Sequence, residues 1–331
     1  MEKIRFAIVG SGWRSKFFLR IAAAHQDQFE VCSMLVRSEE KKRLFREDFG
    51  MVCTTSKEDL LSTRPQFVVI AVGNSDICKV SLEYLDRGIP VLAETPAGIS
   101  VEELNALWKA QTQKGGKLQI AEQYQFYPRY SEIIRECRTL GDRQNVFISC
   151  VHGYHSASLA RLLLGLQNEQ FTVFGKSYSY PITETDSREG IITDGRVAEK
   201  ETSILTIEFE NGKNVFYNFS GVQYHSLIRT RHLMIQGSRG EIDDLTIRYL
   251  DDQQKAVTRK ITYQRDPFLP EDETAIRKCL IGMKDYIDRG IEFYPLSAAL
   301  QDAYISILMD EAVQTGTRVQ SRKQSWQEPA L

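Results

Sequence analysis

The stretch Ile4-Arg5-Phe6-Ala7-Ile8-Val9-Gly10-Ser11-Gly12-Trp13-Arg14-Ser15 decides the fold. An apolar run stops at Gly10, a second glycine follows, and a helical pattern opens with Phe17, Phe18, Ile21 and Ala22. That order reads as strand, tight turn and helix. Gly10 permits the sharp turn, and Gly12, lacking a Cβ, lets a pyrophosphate approach the backbone. A helix beginning near Trp13 aims N–H groups and the positive end of its dipole at such an anion. Ser15 holds the third small position of the dinucleotide fingerprint, where Gly or Ala is usual. The stretch points to dinucleotide binding through Gly10, Ser11, Gly12, Trp13 and Arg14. A βα turn with two structural glycines is the plainer alternative.

Composition narrows the class. The 331 residues suit about two domains, and 42% hydrophobic residues can fill two cores. A formal net charge of −2 gives no reason to expect nucleic acid or a membrane surface as partner. The longest apolar runs, 67–72 and 159–164, are too short to span a bilayer. Met1-Glu2-Lys3 leads into a strand rather than a signal peptide, so a cytoplasmic protein is expected. The six cysteines include no C-x-x-C pair and sit mostly in apolar segments, as reduced buried thiols do.

Beyond the first helix the pattern repeats. Strands are expected over 29–36, 51–54, 67–72, 90–93 and 117–121, alternating with helices over 38–49, 55–61, 77–87 and 101–114. This alternation gives an α/β fold, a doubly wound parallel sheet of Rossmann type over residues 1–122. Ribose recognition belongs at the tip of the second strand, where an acid serves NAD. Here the tip reads Val36-Arg37-Ser38, and the acid at a suitable offset, Glu30, lies at the wrong end. Arg37 can offer a planar fork of donors to a 2′-phosphate and Ser38 a hydroxyl, so NADP is expected, with NAD as second choice. A solvated surface arginine is the alternative for Arg37.

The second half changes period. A helix over 130–139 leads to a strand over 145–151, then a histidine-containing helix. Period-two segments follow at 170–179, 202–210, 214–222, 232–237, 240–250 and 256–263, with Asn211-Gly212 as a hairpin signal. They imply a largely antiparallel open sheet in a C-terminal α+β domain over 123–319. Residues 183–200 read as a long loop, a lid or disordered, and 320–331 as a frayed polar tail. Helices are expected over 271–289 and 297–315. The segment with Tyr224, His225, Arg229, Arg231 and His232 faces either a substrate or an interface.

The Gly10-Ser11-Gly12 start resembles the Gfo/Idh/MocA family of sugar and polyol oxidoreductases. So do Ala71-Val72-Gly73-Asn74-Ser75, the run from Gly88 to Ala97, and Tyr124-Gln125-Phe126-Tyr127-Pro128. The resemblance implies a cofactor set completed by Gly73, Asn74, Glu94, Thr95, Pro96 and Gln123. It also implies a homodimer or homotetramer formed through the C-terminal sheet. The family's Glu-Lys-Pro signature is Glu94-Thr95-Pro96 here, and threonine can hydrogen-bond but cannot act as a cation. His155 matches the family histidine, Gly153 the glycine before it, and Arg161 the arginine, while Val151 and Ser158 stand where the family has Asp.

Hydride transfer from an alcohol carbon needs a base, and imidazole titrates in the right range. His155 is therefore the expected acid/base, with His152 and Tyr124 as further catalytic candidates and no metal. His155 can equally be a structurally satisfied helix-terminal residue. Three functions stay open: an oxidoreductase on a carbohydrate-like substrate, a nucleotide-binding sensor or subunit without turnover, and an enzyme using tightly held NAD for transient oxidation.

Overall fold

The computed structural model describes residues 2–328. Its chain forms two compact units, each assembled from separated segments. The first holds Met1–Pro128, Gln264–Ala303 and Ser325–Leu331, and the second Arg129–Tyr263 and Tyr304–Gln324.

In the first unit, β1 (Ile4–Val9), β2 (Phe29–Leu35), β3 (Cys53–Thr54), β4 (Phe67–Ile70), β5 (Val91–Ala93) and β6 (Leu118–Ile120) form one sheet. Its order is β3-β2-β1-β4-β5-β6, with every pairing parallel. The helices between them are α1 (Ser15–Ala24), α2 (Glu39–Phe49), α3 (Lys57–Ser62), α4 (Asn74–Leu85) and α5 (Val101–Thr112). β4 and β5 are buried at every residue, as strands covered on both faces must be. Three of the helix starts are set by serine caps. Ser38, Ser56 and Ser100 accept the N–H groups of Lys41, Asp59 and Glu103, with acidic residues in each first turn. The helix over 271–289, grouped by the sequence pattern with the second domain, packs elsewhere. This α8 (Glu271–Arg289) sets Ile276, Cys279, Leu280 and Met283 in one cluster with Phe17, Phe18, Ile21 and Phe6.

The second unit begins at α6 (Pro128–Glu136) and carries β7 (Arg143–Ser149), α7 (Gly153–Leu164), β8 (Phe171–Thr183), β9 (Asp186–Ser187) and β10 (Gly190–Ile191). Then come β11 (Val197–Phe209), β12 (Asn214–Phe219), β13 (His232–Gly237), β14 (Gly240–Asp243), β15 (Thr246–Leu250) and β16 (Ala256–Lys260). After α9 (Leu296–Thr315), β17 (Val319–Gln320) closes a nine-stranded sheet in the order β16-β15-β14-β13-β7-β12-β11-β8-β17. All its pairings are antiparallel except β7 with β12. One row of paired residues, Val173-Ile207-Val215-Val146-Ile235-Ile242-Ile247, crosses seven strands and is fully buried. On the opposite face, Phe174, Thr206, Phe216, Phe147 and Met234 form a paired row in which Phe174 and Phe216 remain exposed.

Three expectations need correction. Residues 183–200 are not an unstructured loop. β8 and β11 stay paired as far as Thr183 and Val197, and β9 and β10 close the arm. The arm is largely solvated, so it lacks the apolar alternation that marks a half-buried strand. Glu184 holds it through Arg196 at 2.9 Å and Lys200 at 2.6 Å. The segment 240–250 is a hairpin rather than one strand, turning where Asp244 takes a left-handed φ of 51°. The 320–331 tail is docked as far as it is described. Trp326 is buried and its indole N–H donates to Gln301, while Ser321 Oγ accepts the Phe171 N–H. Residues 329–331 lie outside the described residues. All six cysteines are free thiols, five of them buried. No helix among the described residues is long and apolar enough to cross a membrane.

Candidate functional site

In the first unit, the sheet order reverses between β1 and β4, the point where open α/β sheets bind ligands beyond their strand ends. Gly10 turns there with φ of 126°, and a Cβ on it would stand 2.1 Å from the Ala71 carbonyl oxygen. Only glycine fits. At Gly12 a Cβ would meet nothing within 4 Å, so open space lies over the turn. α1 starts without a side-chain cap and without an acid in its first turn. A cradle with room above it, beside a helix terminus whose own first turn carries no acid, fits the pyrophosphate of a dinucleotide. Ser15 is fully buried, as close packing of helix on strand requires. Among the described residues its hydroxyl has no hydrogen-bond partner.

The other cofactor candidates lie at neighbouring strand ends of the same unit. Gly73 caps α4, and Asn74 is that helix's first residue, three positions earlier than the pattern suggested. Arg37, after β2, is highly exposed and sits 2.9 Å from Asp76 in the first turn of α4. The Ser38 oxygen accepts the Lys41 N–H as the cap of α2. After β5, Glu94 is buried and accepts from Arg14 Nε at 2.8 Å. Burial alone would lower the pKa of Arg14, but the Glu94 carboxylate outweighs it and the net shift is upward. This pair ties the glycine turn to the Glu94-Thr95-Pro96 turn, so Arg14 has a partner inside the protein. After β6, Gln123 and Tyr124 are buried, and the Tyr124 ring lies 4.9 Å from Tyr127, whose hydroxyl donates to Asp272 at 2.7 Å.

In the second unit the histidines gather at the start of α7. His152 is its N-cap residue in an extended conformation, and its side chain does not cap. Two tyrosine hydroxyls take that part. The His152 N–H donates to Tyr224 at 3.1 Å, and the Gly153 backbone hydrogen-bonds Tyr217. Tyr224 also meets His152 Nδ1 at 2.7 Å. The buried His155 ring packs edge-on to His152 at 5.3 Å and to Tyr154 at 5.7 Å. Solvent reaches His152, yet crowding by protein atoms, followed by the His155 charge, pushes its pKa down to about 4. Arg161 is buried and donates to the Leu166 and Gln167 carbonyls, tying down the end of α7. Val151 and Ser158 are also buried.

Sequence reasoning left Tyr224 unassigned and did not single out Tyr217, since both reach α7 only through the folded sheet. Among the described residues, His232, Asp243 and Asp244 bring ligand atoms within 4.8 Å of one another. Asp244 is already engaged by His232 at 3.0 Å and Arg129 at 2.9 Å.

Residues 4–122 match the family model described as an oxidoreductase family with an NAD-binding Rossmann fold. No curated protein matches the sequence significantly. Among solved structures, the chain is similar to an oxidoreductase from Agrobacterium radiobacter in complex with NAD+, L-tartaric acid and magnesium. Identity is 14% and the TM-score 0.74, over 96% of this chain and 98% of that one. It is also similar to aldose-aldose oxidoreductase from Caulobacter crescentus complexed with glycerol, at 18% identity and a TM-score of 0.71 over 97% and 100% of the two chains. Biliverdin reductase from Synechocystis, in complex with biliverdin and NADP+, aligns at 17% identity and 0.68 over 94% and 99%. At these identities the likeness is one of fold.

The His152 shift has a stability consequence. Between about 6.5 and about 4 the unfolded chain binds a proton that the folded one excludes. Stability is therefore full above that window and falls as pH drops through it. Urea midpoints across the window should decline more steeply for the natural protein than for His152→Gln; parallel slopes would refute the assignment.

Proposed function

With residues 4–122 belonging to the Gfo/Idh/MocA oxidoreductases, we propose that the protein transfers a hydride between a nicotinamide coenzyme and a sugar- or polyol-like substrate. The observation that carries this reading is the Gly10–Gly12 turn, open to a pyrophosphate at the switch point of the sheet. A bound nicotinamide coenzyme would supply or accept the hydride. Gly10, Ser11, Gly12, Trp13 and Arg14 form its phosphate turn. Gly73, Asn74, Glu94, Thr95, Pro96 and Gln123 complete its surroundings, with Tyr124 as a substrate contact. Residues 1–122, with α8 packed on them, hold coenzyme, and substrate binding and self-association fall to the remainder of 123–319. The carbohydrate class is supported by the aldose-aldose oxidoreductase that shares the fold.

Alcohol oxidation releases a proton that a base must take. We assign it to His155, whose imidazole is buried at the start of α7. Across a panel of sugars and polyols, sugar-dependent NADP reduction is expected, and His155→Ala should lower kcat by roughly 10²- to 10⁴-fold. Coenzyme binding without turnover on any substrate would favour the alternative, a catalytically impaired sensor or subunit. Thr95 in place of the signature lysine supports that alternative.

NADP preference rests on Arg37. The Arg37 guanidinium is engaged by Asp76, which would also repel a 2′-phosphate. Arg37→Asp should weaken NADP binding more than NAD binding. Asp76→Asn should tighten NADP by a few-fold, on the order of 1 kcal/mol. Equal effects on both coenzymes in fluorescence titration would refute the preference.

We assign the exposed apolar row of the nine-stranded sheet to a second copy of the chain, in a homodimer or homotetramer, and the protein to the cytoplasm, where its free thiols stay reduced. Sedimentation should show an oligomer that Phe216→Glu dissociates. A natural protein that sediments as a monomer overturns the assignment.

A further inference from the structure

The Tyr224 oxygen makes two contacts with one residue. It accepts the His152 N–H at 3.1 Å and stands 2.7 Å from His152 Nδ1. A phenol is the more acidic partner of a neutral imidazole, so its O–H is the better donor in that second contact. The oxygen, already accepting the backbone N–H, is better placed to give its proton than to accept another. Arg231 lies over the Tyr224 ring with its guanidinium carbon 5.8 Å from the centroid, which draws density from the ring and strengthens the O–H as donor.

The ring is also held in place. It packs edge-on against Phe219 at 5.1 Å. Gln223, next in the chain, donates its amide to Ser149 at the end of β7 and to the Thr230 carbonyl. On the far side of the imidazole, His152 Nε2 makes no hydrogen bond among the described residues.

We propose that Tyr224 is a positioning residue that locks His152 in the Nε2–H tautomer, so that His152 serves as a neutral hydrogen-bond donor to a substrate oxygen rather than as the base. Which ring nitrogen carries the proton is set by what the other one meets, and here Nδ1 meets a phenol O–H. Crowding by protein atoms and the neighbouring His155 keep the ring uncharged near neutral pH, which preserves the donor. A hydroxyl or carbonyl oxygen fits an N–H of this kind, and the proton released in oxidation remains with His155. The substrate half of this assignment rests on the oxidoreductase reading; the tautomer half does not.

Ring-15N histidine spectra of the full chain test the lock directly, because only five histidines contribute and His152→Gln identifies the signal. In the natural protein near neutral pH, the bare nitrogen should be Nδ1. Tyr224→Phe should move the tautomer populations toward those of free histidine. Tyr217→Phe, which loses the other phenol at the start of α7, should leave them unchanged. A proton on Nδ1, or identical His152 signals in the natural protein and Tyr224→Phe, overturns the lock.

Kinetics test the donor role. His152→Ala should lower kcat roughly a hundredfold, and His152→Gln, which keeps an N–H, at least several-fold less. Equal losses overturn the donor role. An intact tautomer pattern in a protein that turns over no substrate would overturn the oxidoreductase reading and the substrate half, and leave the lock standing.

Discussion

The carbonyl oxygen of Ala71 occupies the place where a side chain at residue 10 would begin. Much of the first unit's ligand-facing edge depends on that close approach. It brings the end of β1 against the residue following β4, where Ala71 N–H also bonds Val9. It sends the chain into α1 with open space above Gly12. The Arg14–Glu94 pair then fixes the turn after β5 relative to the glycine turn. A buried ion pair of this kind adds little net stability, but losing one partner strands a charge, so it enforces geometry more than it strengthens the fold.

The second unit solves a different problem. A helix start needs acceptors for its leading N–H groups, and histidine at the cap position does not supply one here. Two phenol oxygens fill the gap, from β12 and from the short turn after it. One of them, the Tyr224 oxygen, also stands 2.7 Å from His152 Nδ1, so the phenol that satisfies the backbone holds the ring as well.

The alternating strands and helices of the first unit were legible because its central strands, β4 and β5 above all, are buried at every residue and written as apolar runs. The bounds of α8 were equally clear, since a charged first turn and Gly290 frame it. Its membership in the first unit was not, because an amphipathic stripe states that a face is buried but not against what. The solvated arm around Glu184 was illegible for the opposite reason: it pairs strands without burying a face. Of the candidate site, the glycines and His155 stood out locally. The pairings Arg14–Glu94 and His152–Tyr224 span 80 and 72 residues and exist only once the sheets have formed.

The chain leaves the first unit after residue 128, re-enters it at 264, leaves again at 303 and returns at 325. Trp326 is then buried against Gln301, and Ser325 bonds Asn105. During synthesis, the parallel sheet can emerge from the ribosome long before the residues that seal it. The first unit is thus begun before the second and completed only after it, so a nascent chain carries it in an incomplete form while the whole antiparallel sheet is made.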